Sequence, residues 1–200
     1  MDKYREKIKK DLIRLPREGC LLFAALTSER LYPNYVYFYN TFNWGNPKIL
    51  EEAISVVFQF LISKDSIDRS EILTLIEEVD LITPNTEDFS EIYVSFALDA
   101  CTSVYSTLNF ILDQKLEHII DVAVYARDTV DMFIQERDDI NSFTIDIENK
   151  ISNDPLMIRE KKRQTDVIER MLDFKTFIVN DELIDSMRDK TPIINIDALE

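Results

Sequence analysis

The stretch Leu21-Leu-Phe-Ala-Ala-Leu26 is the clearest indication of the fold class in this sequence. It lies inside a longer segment from Glu18 to Leu31 that contains no proline. When this segment is drawn as a helix, apolar side chains lie on nearly every side rather than on one face. A helix that is apolar all round is surrounded by other elements of the protein. We therefore expect this helix to be at the centre of a helical bundle.

Apolar residues recur at helical spacing on both sides of this segment. We predict helices over residues 3–14, 18–31, 33–42, 47–63, 70–80, 90–113, 115–136, 155–177 and 181–187. A break is predicted at Tyr32, because the residue before a proline is biased away from the helical region and Pro33 suits a new first turn. The short gap at Gln114 predicts a long antiparallel hairpin at the centre of the bundle. Residues 141–153 form a bent helix or a loop, and residues 191–200 add a strand or drape over the bundle.

The composition indicates an all-α protein with a single domain. Of the 200 residues, 46% are hydrophobic and 30% are charged, which is typical of a folded globule. The only glycines are Gly19 and Gly45. Tight strand turns and phosphate-binding loops both depend on glycine, so helices joined by turns of other residues are expected. We predict a multi-helix bundle over residues 1–200.

The net charge is −15, from 38 acidic and 23 basic residues. Such a surface repels phosphate backbones and excludes a general nucleic-acid-binding role. It favours a basic protein partner; the alternative is that the charge serves solubility alone. No apolar run approaches the ~18 residues that span a bilayer. Cys20 and Cys101 suit buried positions in a reducing compartment, so we expect no membrane contact and a cytoplasmic location.

Three blocks of sequence carry a family resemblance. They are Ser28-Glu-Arg-Leu-Tyr-Pro-Asn-Tyr35 followed by Phe38, then Glu87-Asp-Phe89, then Leu98-Asp-Ala-Cys101. In order and spacing they resemble the YjaG-like family of uncharacterised bacterial proteins, over roughly residues 10–140. The resemblance implies an all-helical fold with no assigned function. Residues 1–140 are accordingly the family-like core, and residues 141–200 are divergent C-terminal helices and a tail. The family often has cysteine at Ser28, so a thiol role at that position does not carry over.

Four polar residues form the candidate functional cluster: Glu29, Arg30, Tyr35 and Asp99. Glu29 follows two apolar positions of the central helix at spacings of seven and four, so we expect it to point inward. A buried carboxylate needs a partner, because an unpaired buried charge is costly. Asp99 belongs to a stripe of small polar side chains on one helix face. We interpret the four as one network, which is either a buried ion pair that fixes helix register or a ligand site.

The sequence contains no recognisable catalytic constellation. His118 is the only histidine, and nothing supplies an orienting group for a Cys101–His118 pair. We therefore predict neither catalytic residues nor a metal or cofactor. Among a dense group of aromatic residues, the candidate interface residues are Tyr32, Tyr37, Tyr39 and Trp44, with core filling as the alternative role.

Two functions follow from these observations. The first is a non-enzymatic protein-protein interaction module, one form of which is an acidic immunity protein that neutralises a basic toxin. The second is a small-molecule or metal-binding protein, possibly an enzyme, that uses an interhelical site at Glu29 and Asp99. A third possibility is a homodimer with a structural role.

Overall fold

A computed structural model describes residues 3–140, 146–174 and 177–199. The helices are α1 (Lys3–Leu12), α2 (Arg17–Phe42), α3 (Pro47–Ile62), α4 (Arg69–Leu81), α5 (Tyr93–Asp113), α6 (Leu116–Arg137), α7 (Ile147–Ser152), α8 (Pro155–Leu172) and α9 (Asp181–Met187). Two short 3-10 turns, Lys64–Ser66 and Ile196–Leu199, complete the secondary structure. The described ranges contain no strand, so the all-α prediction is confirmed.

Helix α2 is the centre of the bundle, as its sequence predicts. Its side chains from Gly19 to Ser28 are buried without interruption. It packs most extensively against α5 and also lies against α3, α6 and α8. Because neighbours cover α2 on several sides, an apolar side chain is stabilised wherever it points, at about 25 cal/mol per Å² removed from water.

The predicted break at Tyr32 is wrong, because α2 continues through Pro33 to Phe42. Proline has no N–H and its ring crowds the preceding turn, which costs about 3 kcal/mol in a helix interior. A tertiary contact is made in the same turn of the helix. The backbone N–H of Ile193, from the C-terminal segment, donates to the Arg30 carbonyl at 3.2 Å. Local preference is thus overridden by contacts that α2 makes with distant parts of the chain.

Helices α5 and α6 are joined by only two residues, and Gln114 adopts the left-handed conformation that ends α5. Asp99 on α5 contacts Thr129 on α6, and Ser106 contacts Tyr125. This order of contacts is that of neighbouring helices that run in opposite directions. None of the helices described is long and apolar enough to cross a membrane.

The C-terminal segment folds back over the bundle instead of adding a strand. Ile193 and Ile194 are buried, and the segment lies between α2 and the face of α8. Helix α8 ends at Leu172, earlier than predicted, whereas α9 covers the residues expected of it. Part of the predicted bend at 141–153 is helix α7, while residues 141–145 lie outside the described ranges. Residues 175 and 176, in the predicted extension of α8, also lie outside them.

Candidate functional site

A buried polar network joins α1, α2, α6 and α8. Arg30 Nη1 donates to Glu160 Oε2 at 2.6 Å, and both side chains are at most 2% exposed. Gln164 Nε2 donates to the other carboxylate oxygen of Glu160 at 3.1 Å. The Tyr4 hydroxyl donates to Gln164 and contacts the Ala123 carbonyl, which also accepts from Gln164. The charges are paired and hydrogen-bonded, which is the condition for keeping them in an apolar interior.

The C-terminal segment is fixed to the same network. Arg30 Nε donates to the Thr191 carbonyl at 3.0 Å, and Arg159 Nη2 donates to the Ile193 carbonyl at 2.8 Å. Together with the bond from Ile193 to the Arg30 carbonyl, these contacts hold residues 191–193 across the proline-containing turn of α2. Arg30 therefore links the position of α8 to that of the C-terminal segment.

Glu29 faces the interior only in part, with 18% of its side chain exposed, and its neighbour Arg30 is the fully buried residue. Adjacent helical residues point about 100° apart, so only one of the two faces α8. Glu29 is partly exposed and accepts from Arg188 Nε at 2.9 Å. The guanidinium of Arg188 also lies 4.5 Å above the Phe58 ring. Glu29 and Arg30 thus have separate partners.

Tyr35 connects the end of α2 to the end of α4. Its hydroxyl donates to the Ile82 carbonyl at 2.8 Å and accepts from the Asn46 N–H at 3.3 Å. Burial raises the pKa of Tyr35. Gly45 has a φ of +89°, and a Cβ there would lie 2.1 Å from the Tyr35 hydroxyl oxygen. The turn after α2 accordingly needs glycine.

Asp99 lies at the contact of α5 with α6, where Thr129 Oγ1 donates to its carboxylate at 2.8 Å. Burial raises the pKa of Asp99 to about 7, although the Thr129 hydrogen bond opposes this. No salt bridge to Asp99 is formed within the described part of the chain. The structure therefore does not bring Glu29, Arg30, Tyr35 and Asp99 together, and no two of their side chains share a hydrogen-bond partner among the described residues.

Glu29 does lie beside a cavity, of about 420 Å³, between α2, α3 and the region of α9. Tyr32, Glu51 and Arg188 also line it, whereas Asp99 is not among its described lining residues. Over the described ranges, no group of three or more His, Cys, Asp or Glu side chains is placed to hold a metal ion.

The cysteines and the histidine also take separate positions. Cys20 and Cys101 are buried, as expected. Burial raises the pKa of the Cys101 thiol to about 12, which keeps it protonated and poorly nucleophilic at neutral pH. His118 contacts Asp113 at 3.1 Å, at the start of α6.

The candidate interface residues differ in their surroundings. Trp44 is 37% exposed, and its ring contacts Phe38 and Phe89 with centroid distances of 6.0 and 5.8 Å. Tyr37 packs against Tyr93 at 4.9 Å. Tyr32 and Tyr39 are half-buried. Trp44 thus keeps an exposed edge on top of a packed aromatic group, while the three tyrosines are less accessible.

Segment Asp68–Glu91, which contains α4, forms what we call the acidic surface. It carries eight acidic residues and one basic residue, a net charge of −7. Its acidic residues are Asp68, Glu71, Glu77, Glu78, Asp80, Glu87, Asp88 and Glu91, and all but the half-buried Glu78 are exposed. No salt bridge within the described ranges involves any of them. Leu73 and Leu81, on the same helix face, are 44% and 78% exposed.

Sequence reasoning missed Glu160 and Gln164, the partners of Arg30. A signal for them does exist in the sequence. Glu160 and Gln164 lie one helical turn apart on the same face of α8. That face is otherwise apolar and includes Met157, Ile168 and Met171. Polar residues on an otherwise apolar helix face indicate a buried hydrogen-bonding partner on another element.

This geometry defines an all-helical protein with a buried ion-pair network in its core and an acidic surface whose carboxylates form no salt bridge within the part of the chain that the structure describes. The chain belongs to the family described as "Protein of unknown function (DUF416)", whose sequence profile matches residues 7–194. The resemblance found in the sequence is therefore confirmed. The matched range continues past residue 140, where that resemblance ends, and includes residues 141–194.

The chain is similar to the uncharacterised protein YjaG of Escherichia coli K12, with 28% identity over 122 residues, 60% of this chain and 61% of YjaG. An uncharacterised protein of Haemophilus influenzae is 26% identical over 133 residues, 66% of this chain and 67% of that protein. The crystal structure of a DUF416 family protein from Shewanella baltica superposes with a TM-score of 0.79 at 23% identity, covering 90% of both chains. This likeness shows a shared fold.

Proposed function

We propose that the protein is a non-enzymatic interaction module that binds a basic partner protein through the acidic surface. The observation that carries the proposal is that these eight carboxylates lack ion-pair partners within the described chain. Elsewhere many carboxylates are paired: Glu18, Asp113, Asp121, Asp154, Glu160 and Glu169 each have a cationic partner. A field of unpaired charge attracts a partner of opposite sign and speeds the encounter.

The acidic surface also offers apolar contacts, which long-range attraction alone does not supply. Leu73 and Leu81 are exposed two turns apart on the same face of α4. The exposed edge of Trp44 adjoins the surface through its contact with Phe89, between Asp88 and Glu91. Tryptophan is the residue type most often found at energetically dominant interface positions. Charge for attraction and apolar side chains for affinity therefore occur together.

One form of this function is an immunity protein that neutralises a basic toxin. In that form, co-expression of the chain with a toxin encoded beside its gene protects cells. Substitution of Glu71, Glu77, Glu78 and Asp80 by their amides removes the protection. A wild-type chain that fails to protect against such a toxin would exclude this form.

The general proposal is tested by affinity capture from the native host with quantitative mass spectrometry. One bait is the wild type. A second bait, the test variant, which we also call the bait variant, replaces Glu71, Glu77, Glu78 and Asp80 of the acidic surface by amides. The control variant replaces Glu52, Glu136, Glu148 and Glu182, four exposed carboxylates elsewhere, by glutamine. We expect a basic protein that the wild type and the control capture and the bait variant loses. Equal capture by all three, or self-association alone in light scattering, contradicts the proposal.

A second candidate is the binding of a small polar molecule beside Glu29. It is supported by the cavity of about 420 Å³ that Glu29, Tyr32 and Arg188 share. Thermal-shift screening against metabolites and divalent ions tests it, since a ligand at a hundred times its Kd adds about 2.7 kcal/mol of stability. A hit is expected to disappear in Glu29→Gln and to persist in Asp99→Asn. If no compound shifts the melting temperature of the wild type, this candidate is excluded.

A further inference from the structure

A pocket rich in cations lies between α8 and the chain around α9. Its volume is about 400 Å³, and its charged lining residues are Arg159, Lys162, Arg163, Arg170, Asp166 and Asp189. These six side chains have a net charge of +2, in a chain whose net charge is −15. The pocket therefore has the opposite sign to the protein as a whole.

Among the charged residues that line this pocket, Arg163 is the one whose side chain has buried donors without an acceptor among the described residues. Its Nε contacts Asp189 Oδ2 at 3.4 Å, which is long for an ion pair. Both Nη1 and Nη2 are shielded from solvent, and no described residue accepts a hydrogen bond from either. Buried donors are nearly always paired, and a buried charged donor without an acceptor is especially costly.

The charges around Arg163 do not supply the missing acceptor. Burial, and after it the positive charge of Arg30, lowers the pKa of Arg163. The nearby carboxylate of Glu160 is already bonded by Arg30 and Gln164. Asp189 lies 3.9 Å from Arg30 Nε as well as 3.4 Å from Arg163, and its side chain is 47% exposed. One carboxylate, whose other oxygen accepts from the Thr191 N–H at 3.0 Å, thus serves two guanidinium groups at long distances.

We propose that this pocket binds a small oxyanion, the phosphate or carboxylate group of a small molecule, which takes the place of Asp189 beside Arg163. The planar fork of a guanidinium matches the two oxygens of a carboxylate or phosphate. The position that Asp189 occupies shows that a carboxylate is accommodated there. Movement of Asp189 into solvent opens the access to Arg163 that an anion needs.

The other cations of the pocket support the same ligand. Arg170 Nη2 donates to the Ser186 carbonyl at 2.9 Å, and Arg159 Nη2 donates to the Ile193 carbonyl. Both bonds are to neutral groups, so neither guanidinium is neutralised by them. Lys162 is paired with Asp166. The pocket lies on α8, away from the acidic surface on α4, so this site and the proposed protein interface stand or fall separately.

Isothermal titration calorimetry tests the site, with inorganic phosphate and citrate titrated separately into the full chain at ionic strength matched with sodium chloride. We expect saturable binding of at least one of the two anions to the wild type. Arg163→Gln is expected to weaken it about tenfold or more, because hydrogen bonds to charged groups contribute about 1.5–3 kcal/mol. Asp189→Asn is expected to tighten it roughly threefold or more, because it removes the competing carboxylate.

Two matched variants control for net charge. Arg14→Gln removes an exposed arginine that pairs with Glu169, and Asp185→Asn removes a carboxylate that is 75% exposed on α9. Both are expected to bind like the wild type. The proposal is overturned if neither anion binds above the chloride control, or if Arg163→Gln and Asp189→Asn behave like these two variants. If Arg163→Gln does not fold, the comparison of Asp189→Asn with Asp185→Asn decides, and unchanged or weaker binding by Asp189→Asn overturns the proposal.

Discussion

The acidic surface on α4 and the buried network around Arg30 hold their charges in opposite ways. In the acidic surface, eight carboxylates lie next to water and none has a cationic partner among the described residues. In the network, the carboxylate of Glu160 is 1% exposed and accepts from both Arg30 and Gln164. Water solvates an exposed charge at little cost, whereas a buried charge has to be paired within the fold. The comparison separates charges available to a partner from charges committed to structure.

The largest expected effect comes from breaking the buried pair. Glu160→Gln removes the buried countercharge of Arg30 and leaves only the half-exposed carboxylate of Asp189, 3.9 Å from Arg30 Nε, so we expect a cost of about 3–5 kcal/mol of the unfolding free energy. Urea denaturation followed by circular dichroism measures it. The exposed pair provides the control, since Glu169→Gln is expected to cost less than about 1 kcal/mol. The double variant Arg30→Met/Glu160→Leu is expected to be more stable than Glu160→Gln, because it removes both buried charges. If the double variant is the less stable of the two, the loss in Glu160→Gln does not come from an unpaired buried charge.

A smaller effect is expected at the turn between α2 and α3, which contacts the Tyr35 side chain. Gly45→Ala combines a positive φ with an overlap against the Tyr35 hydroxyl, and we expect a loss of about 2–3 kcal/mol. The matched change Gly19→Ala meets only contacts of 3.3 Å or longer in a helical position, so its effect is expected to stay within about 1 kcal/mol. Removing the hydroxyl with Tyr35→Phe is expected to relieve part of the Gly45→Ala loss, as thermal denaturation of the double variant measures.

Asp99 shares one property with each region. It is largely buried, like the network, yet it has no cationic partner among the described residues, like the acidic surface. Its pKa of about 7 in the folded chain exceeds the ordinary value of about 3.9, so the folded state binds the extra proton between these values. Stability is therefore expected to fall as the pH rises from 4 through 7. At pH 8, Asp99→Asn is expected to be more stable than the wild type by roughly 1–3 kcal/mol, with the difference vanishing near pH 4.

Urea denaturation at pH 4, 6 and 8 measures this dependence. The exposed variant Asp80→Asn is expected to follow the wild-type profile at each pH. A wild-type stability that changes with pH in the same way as that of Asp99→Asn shows that Asp99 is not responsible.

The smallest effect on stability is expected on the acidic surface itself. Replacement of Glu71, Glu77, Glu78 and Asp80 by amides removes four charges but no described ion pair, so the unfolding free energy is expected to change by less than about 1 kcal/mol. Relief of repulsion among like charges makes the change favourable at low salt, and added sodium chloride reduces it. A loss of several kcal/mol would show that these carboxylates are structural, and the contrast between the two regions would then disappear.

Much of the fold is predictable because its signals are local. The apolar run at Leu21–Leu26 predicts the central helix, and α9 begins and ends where its sequence indicates. The candidate site is less predictable. Helical periodicity predicts that the turn containing Glu29 and Arg30 lies near the core. It does not predict which of these two neighbouring residues faces α8. Glu160, the residue that decides it, lies 130 positions further along the chain.

The helical class, the buried position of the central helix and the excess of negative charge are all predictable from the sequence alone. They are predictable because helical spacing is a local property of a few neighbouring residues, and because glycine content and composition are properties of the whole chain. Neither kind of signal depends on which distant residues meet. Tertiary contacts were needed to show that α2 continues through Pro33 and that Arg30 is more deeply buried than Glu29. They were also needed to show that the carboxylates of α4 form no salt bridge with any described residue. These outcomes depend on which distant side chains meet in the folded chain, and a hydrogen bond or ion pair exists only when both partners arrive.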